Sequence, residues 1–343
     1  MTGTESLPDV EEFIGRIRRE FVPWFLPDRP VLVVRAPARL DVMGGIADYT
    51  GSLVLETPLR QAVVMGIQPR DDQQVVMRTA PSQATVSGNP SECRWPLAWL
   101  YEAEGHLTSP DRFACRLEGL RTDWAKYPAG VFYMLLEAGA VPHFGGGVTL
   151  VFASTATPRV GIGSSGALEV ATCQALTGLY GVRLDPLASA RICQRAENHI
   201  VGAPCGIMDQ VTSLIGPPNA LLQLRCQPHE VLGTLPMPEG ITVVGIGSGM
   251  KHSVGGLRYV QTRVAAFMGH RIILERMHRD GAVTDSTNGY LANVQPEEYV
   301  DRFRDDLPVK MRGEDFLRRY GQTADPATRV DPRTVYKVRS RTL

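Results

Sequence analysis

Apolar residues recur at helical spacing in EEFIGRIRREF (11–21), where Phe13, Ile14, Ile17 and Phe21 share one face. PDRP then ends that helix. VLVVRAP (31–37) reads as a buried strand running into a turn. SLVLETPL (52–59), QAVVMGIQP (61–69) and QVVMRTA (74–80) read as strands separated by short breaks. Residues 81–112 are polar and turn-rich apart from WPLAWLY (95–101), and WAKYPAGVFYMLLEAGA (124–140) predicts a helix with an internal proline. GGGVTLVFAST (145–155) predicts a strand, followed by a glycine–serine loop and an amphipathic helix in ALEVATCQALTGLYG (167–181). DPLASARICQRAENHIVG (185–202) predicts a second helix capped by Asp185, and MDQVTSLIG (208–216) starts a third. ALLQLRC (220–226) and ITVVGIGSG (241–249) predict strands, and LRYVQTRVAAFMGHRIILERMHRD (257–280) a long helix. Short helices with proline breaks follow. There is no internal repeat and no low-complexity tract.

The chain has 343 residues, room for about two domains at ~150 residues each. With 43% hydrophobic and 21% charged residues it can bury a sizeable core, which excludes disorder and small disulfide scaffolds. Lys plus Arg and Asp plus Glu are both 36, so the net charge is zero and the basic excess of a nucleic-acid binder is missing. The six cysteines, Cys93, Cys115, Cys173, Cys193, Cys205 and Cys226, form no CxxC pair and read as buried thiols of a reducing compartment. The first residues are acidic, and no apolar run approaches the ~18 residues of a membrane span. A cytoplasmic protein without nucleic-acid or membrane partners is expected; its oligomeric state stays open.

Glycine clusters where the chemistry is densest. Gly161-Ile162-Gly163-Ser164-Ser165-Gly166 lies between a predicted strand and a predicted helix. Glycines let the backbone approach a phosphate, and a helix start aims free N–H groups at it. The same stretch reads as a glycine turn capped by Ser164. It also matches GxGxxG with Asp185 about 20 residues on, but TATPRV separates it from the strand end that a dinucleotide site needs. No GKS or GKT is present, which excludes a P-loop. Downstream, Glu197 is late in one helix and Asp209 opens the next. Two carboxylates beside a phosphate loop suit a Mg²⁺ ligand and a base; the plainer reading is a solvated helix residue and a helix-start charge.

Taken together these segments resemble the GHMP small-molecule kinases, whose loop is P-x-x-x-G-L-G-S-S-A-A. Here it stands as Pro158-Arg-Val-Gly161-Ile-Gly163-Ser164-Ser165-Gly166-Ala167, one residue short after the proline and with Gly166 for the first alanine. RAPARLDVMGGIADYTG (35–51) is similar to the galactokinase signature G-R-x-N-x-I-G-E-H-x-D-Y-x-G. ENHIVGAPCGIMDQ (197–210) is similar to the base segment and MKHSVGGLRYVQTR (250–263) to the sugar-tyrosine segment. Within the galactokinase-like sugar 1-kinases the chain is most similar to the arabinokinases, over roughly residues 30–340.

The resemblance implies ATP as phosphoryl donor, Mg²⁺, and a small-molecule sugar. It implies Arg39 near the transferring phosphoryl group and Asp209 as the base at the anomeric hydroxyl. Asp48, Gly206 and Tyr259 would contact the sugar, and Ser165 and Glu197 would hold Mg²⁺. Gly161, Gly163, Ser164, Ser165 and Gly166 would cradle the phosphates. Trp124 and Tyr127 match a W-x-x-Y that lines the adenine pocket, and equally read as core. Gly45 and Ile46 replace a Glu-His pair that contacts the C6 hydroxyl of galactose. L-Arabinose has the same ring but no C6, so the exchange fits a pentose, and galactokinase or galacturonokinase activity remains the alternative. The implied fold is α/β (α+β) of the GHMP type. It comprises a helical lead-in (1–30), an N-terminal mixed-sheet domain with the sugar signature, phosphate loop and base (31–225), and linking helices with a partial, ferredoxin-like C-terminal domain (226–343). No third glycine-rich motif follows VYKVRSRTL, so a truncated second domain, and with it a non-catalytic sugar-binding remnant, is also expected.

Overall fold

The structure, a computed structural model, describes residues 7–45, 47–80, 92–120, 122–227, 229–241, 243–247, 256–282 and 284–339. Seven strands make one mixed sheet: β1 (Leu32–Met43), β2 (Leu53–Pro69), β3 (Gln74–Thr79), β4 (Glu92–Pro96), β5 (Val148–Ser154), β6 (Ala220–Arg225) and β7 (Glu230–Pro236). Their order is β4-β3-β5-β2-β6-β7, with β1 paired to β2 as well. β3 and β5 are parallel, and every other pair is antiparallel.

β2 is the spine. β1 runs along one edge, while β5 takes Val63–Pro69 and β6 takes residues 53–56 on the other. The break expected between 59 and 61 is a bulge inside one continuous strand. Pro37 pairs with Ala62 and Arg39 with Pro58, so Leu59, Arg60 and Gln61 stand opposite Ala38 alone and β2 carries two extra residues. Proline cannot donate to the ladder, and it sits where the pairing is already interrupted.

Seven helices are relevant to the site: α1 (Pro8–Arg19), α2 (Pro110–Glu118), α3 (Lys126–Glu137), α4 (Ser164–Leu179), α5 (Pro186–Ala196), α6 (Met208–Ile215) and α7 (Leu257–Arg279). α5 starts on the expected cap, with Asp185 Oδ2 accepting from Ala188 N at 3.1 Å. α4 is not the amphipathic surface helix its sequence suggests. It packs on β1 and β2 and is covered by α3, α5 and α6. Ala167, Leu168, Val170, Ala171, Cys173, Ala175 and Leu176 are all buried, and so are Glu169 and Thr172. A helix sandwiched between a sheet and three helices has no solvent face. Because α4 begins at Ser164, the loop serines are its first turn.

The main core centres on Trp95, which meets Phe113 and Phe132 edge-on at 5.6 and 5.4 Å between ring centroids. A second cluster joins α7 to Phe303, Phe316, Val330 and Tyr336. The strand expected at 241–249 does not form among its described residues, 241 and 243–247. β7, which the pattern did not predict, takes the sheet edge instead. Cys115 is exposed, contrary to expectation, whereas Cys93, Cys173, Cys193 and Cys226 are buried; all six are free thiols. Among the described residues no helix is long and apolar enough to cross a membrane.

Candidate active site

Arg39 sits on β1 just after the bulge and ties three segments together. Its Nε and Nη2 donate to Asp209 Oδ1 at 2.9 and 2.6 Å, and Nη1 donates to the Gly161 carbonyl at 2.8 Å. Its own N–H donates to the Ile162 carbonyl at 3.0 Å. One residue therefore fixes the glycine–serine loop against the start of α6. Glu56 on β2 adds a third contact, with Oε2 3.4 Å from Arg39 Nε. Burial alone would lower the Arg39 pKa, but Asp209 and Glu56 more than offset it, and the guanidinium stays charged. Glu56 is fully buried beside Asp41, its partner across the ladder. Burial, opposed by Arg39 and reinforced by Asp41, pushes its carboxyl up to about 10. Arg39 thus faces the Asp209 carboxylate at hydrogen-bond distance and the Glu56 carboxyl further off.

The loop's glycines answer to this packing. Gly163 caps α4 in the left-handed region at φ +65°, where a side chain is strained. A Cβ there would also press on Arg39 Cγ and Asp209 Oδ2, both at 3.1 Å. Gly161 presents the carbonyl that Arg39 holds, and Gly166 backs onto Asp209 from the first turn of α4. Ser164 and Ser165 occupy that same turn, so the N–H groups free at any helix start lie beside Arg39 and Asp209.

Glu197 lies in a π-turn (Glu197–Val201) continuing α5, and it is 2% exposed, not solvated. Its Oε2 accepts from Gln210 Nε2 at 3.1 Å and from the Cys205 thiol at 3.4 Å, and the Ser165 hydroxyl also bonds its carboxylate. Gln210 Nε2 donates equally to Glu169 Oε2, at 3.0 Å. Burial first, and Asp209 second, raise the Glu197 carboxyl. Glu169, fully enclosed in α4, is raised further by burial and by Glu197. Among the described residues no group of three or more His, Cys, Asp and Glu side chains could hold a metal by itself. A hydroxyl and a carboxylate, both hard oxygen donors, do fit Mg²⁺, which keeps several waters and shares phosphate oxygens.

On the other side of Asp209, Asp48 is 5% exposed, and its Oδ1 accepts from Tyr49 N at 2.8 Å. Gly206 passes directly over it: a Cβ on Gly206 would stand 1.5 Å from Asp48 Oδ2. Burial first, then Asp209, push the Asp48 carboxyl up to about 6. Tyr259, in the first turn of α7, packs edge-on to Tyr49 at 6.0 Å, and Asp48 adds to burial in raising its hydroxyl. Asp209, Arg39, Asp48, Gly206, Tyr259 and the phosphate loop are therefore one constellation, with Ser165 and Glu197 beside it.

Gly45 is exposed at φ +63°, its N–H held by Asp41 Oδ2 at 2.6 Å. Ile46 lies outside the described residues. Trp124 and Tyr127 are half-buried against the main core. Trp124 meets Phe152 at 5.3 Å, and the Tyr127 hydroxyl is raised by burial and by Glu197. The pattern missed Asp41, Glu56, Glu169, Gln210 and Arg263. Glu56 and Glu169 carried a signal, each being a lone acid inside an apolar stretch, LVLETPL and ALEVA.

Residues 126–217 match the family described as GHMP kinases N terminal domain. The chain is 34% identical over 378 aligned positions to the L-arabinokinase of Arabidopsis thaliana, covering 98% of this chain and 36% of that protein. It is 32% identical over 253 positions to the galactokinase of Bos taurus, covering 74% of this chain and 59% of that protein. It spans less than two thirds of the length of either relative. The crystal structure of Lactococcus lactis galactokinase complexed with galactose shares the fold, with a TM-score of 0.61 at 19% identity over 80% of this chain and 63% of that one.

Proposed function

We infer, from the galactokinase-like GHMP kinase N-terminal domain that this chain carries, a sugar 1-kinase that moves the γ-phosphoryl group of ATP to the anomeric hydroxyl of L-arabinose. The observation that carries the reading is the Arg39–Asp209 pair, locked at 2.6 Å beneath a glycine–serine helix start. Such transfers depend on positioning and on charge compensation. Asp209 receives Arg39 on Oδ1, and its Oδ2 has no hydrogen bond among the described residues. That free oxygen orients the sugar O1 and takes its proton. Arg39 offsets charge on the transferring group, and the N–H groups of residues 163–166 receive phosphate oxygens. Ser165 and Glu197 would hold Mg²⁺, which neutralises phosphate charge when bound. Asp48, Gly206 and Tyr259 form the sugar wall, and Trp124 and Tyr127 lie toward the adenine. A cytoplasmic setting is part of the same reading.

The choice of pentose rests on Gly45 and Ile46 and on the 34% identity to an L-arabinokinase across 98% of the chain. ADP release measured with L-arabinose, galactose and galacturonate tests it. Arabinose is the preferred substrate; turnover of none of the three overturns the kinase reading. The double change Gly45→Glu, Ile46→His raises galactose activity relative to arabinose by the worth of one or two hydrogen bonds, ~1–3 kcal/mol. Glu at the left-handed Gly45 costs about 1–2 kcal/mol of backbone strain, which lowers both sugars alike, so the ratio is the readout. An unchanged ratio in folded protein rejects the assignment.

Asp48 makes the reaction pH-dependent. Its charged form accepts sugar hydroxyls, and its carboxyl titrates at about 6 in the folded chain. The sugar kcat/KM therefore falls roughly tenfold per pH unit below that point. Folding responds with the opposite sign. Between the ordinary aspartate value of 3.8 and about 6 the folded chain holds the extra proton, so this group costs stability as pH rises. A pH profile of sugar kcat/KM that is flat to about pH 5 contradicts the role.

A further inference from the structure

Asp325 stands 62 residues beyond Arg263 and is completely buried. Its two oxygens take Arg263 Nε and Nη2, each at 2.8 Å. Ala327 N and the Thr328 hydroxyl hold the same carboxylate at 3.0 and 2.6 Å. Burial alone would raise the Asp325 carboxyl; Arg263 keeps it below the usual range, so the pair is ionic. A guanidinium is a rigid planar fork, so fixing two of its nitrogens fixes the third. That third nitrogen, Nη1, donates to the carbonyls of Pro204 and Cys205 at 3.1 and 3.2 Å. The next residue is Gly206, the backbone that passes over Asp48. The guanidinium carbon also lies over the rings of Tyr49 at 5.0 Å and Phe267 at 5.5 Å. Tyr49 is the residue whose N–H holds Asp48 and whose ring meets Tyr259.

One plane therefore contacts a neighbour of each member of the sugar wall: Cys205 precedes Gly206, and Tyr49 follows Asp48 and meets Tyr259. We propose that Arg263 and Asp325 are positioning residues for the sugar pocket: Asp325 orients the guanidinium, and the guanidinium sets the spacing between Gly206 and Asp48. This rests on the sugar-kinase reading. A buried ion pair is by itself weak evidence for stability; the functional argument is where the remaining nitrogen lands.

The test uses the full chain with Asp325→Asn and, separately, Arg263→Lys. Calorimetry gives L-arabinose and ATP affinities, and amide exchange is followed in residues 203–210 and in β5. Each variant weakens arabinose about tenfold while ATP affinity stays within about twofold. Exchange quickens in 203–210 and not in β5. Unchanged arabinose affinity in either folded variant overturns the proposal. Equal loss of both ligands, uniformly faster exchange, or failure of both variants to fold assigns the pair to stability and overturns it too. Wild-type chain that binds none of L-arabinose, galactose and galacturonate rejects the kinase reading and this proposal together. Wild-type binding with unaffected variants rejects this proposal alone.

Discussion

Asp209→Asn abolishes phosphoryl transfer and leaves sugar binding in place. The carboxylate opens α6 and takes two donors from Arg39 on one oxygen, at 2.9 and 2.6 Å. With its oxygen held by Arg39, the amide presents Nδ2, a donor, where Oδ2 stood, so it neither takes the hydroxyl proton nor accepts from O1. Such a role is worth ~10²–10⁴ in rate. The substitution also leaves a buried arginine without its charged partner, a change that costs about 3–5 kcal/mol where the site cannot adapt. Thermal melting must therefore accompany the rate. A folded variant that keeps more than about a tenth of the wild-type rate removes Asp209 from the chemistry.

Gly206→Ala gives the second large effect, on the sugar instead of the rate. A methyl group here would stand 1.5 Å from Asp48 Oδ2 and 1.9 Å from its Cγ, closer than any real contact. Asp48 cannot move freely, because it is buried and tied to Tyr49 N. Either the backbone at Gly206 or the carboxylate shifts, and the sugar-kinase reading places both in the sugar wall. Overpacking of this kind costs ~1–3 kcal/mol, which is roughly 5–150-fold in sugar affinity. ATP affinity, which draws on the loop at 161–166, is unaffected. Arabinose binding within about threefold of wild type in folded protein would show that the pocket lies elsewhere.

Local chemistry was legible without tertiary information. The start of α5 is written in Asp185 and Pro186, because a cap needs only a side chain three residues from an unpaired N–H. The tight turn at 161–163 and the helix start at Ser164 are written in the glycines and serines, because positive φ and a free helix start are properties of a few consecutive residues. Arg39, Asp48, Glu197 and Asp209 stood out for their residue types within long motifs. None of the four could be placed against another from spacing alone.

What the tertiary structure decided depends on partners distant in the chain. The break at Arg60 is a bulge only because β1 continues to pair on both sides of it. Residues 241–249 read as a strand, yet the described ones pair with no neighbouring strand, since strand formation is settled by pairing and not by propensity. Glu56 and Glu169 are acids in apolar stretches, a pattern as consistent with solvent as with burial. Packing enclosed both, and enclosure rather than residue type raises their carboxyls. Asp325 belongs to no motif, and beyond its local bonds to Ala327 and Thr328 its carboxylate is placed by Arg263, 62 residues away. The sequence by itself determined which groups are available and where helices and turns begin, because those are set within a few residues. The tertiary structure decided which groups meet, which are charged and which side chains a glycine must spare, because burial and distance exist only once the chain has packed.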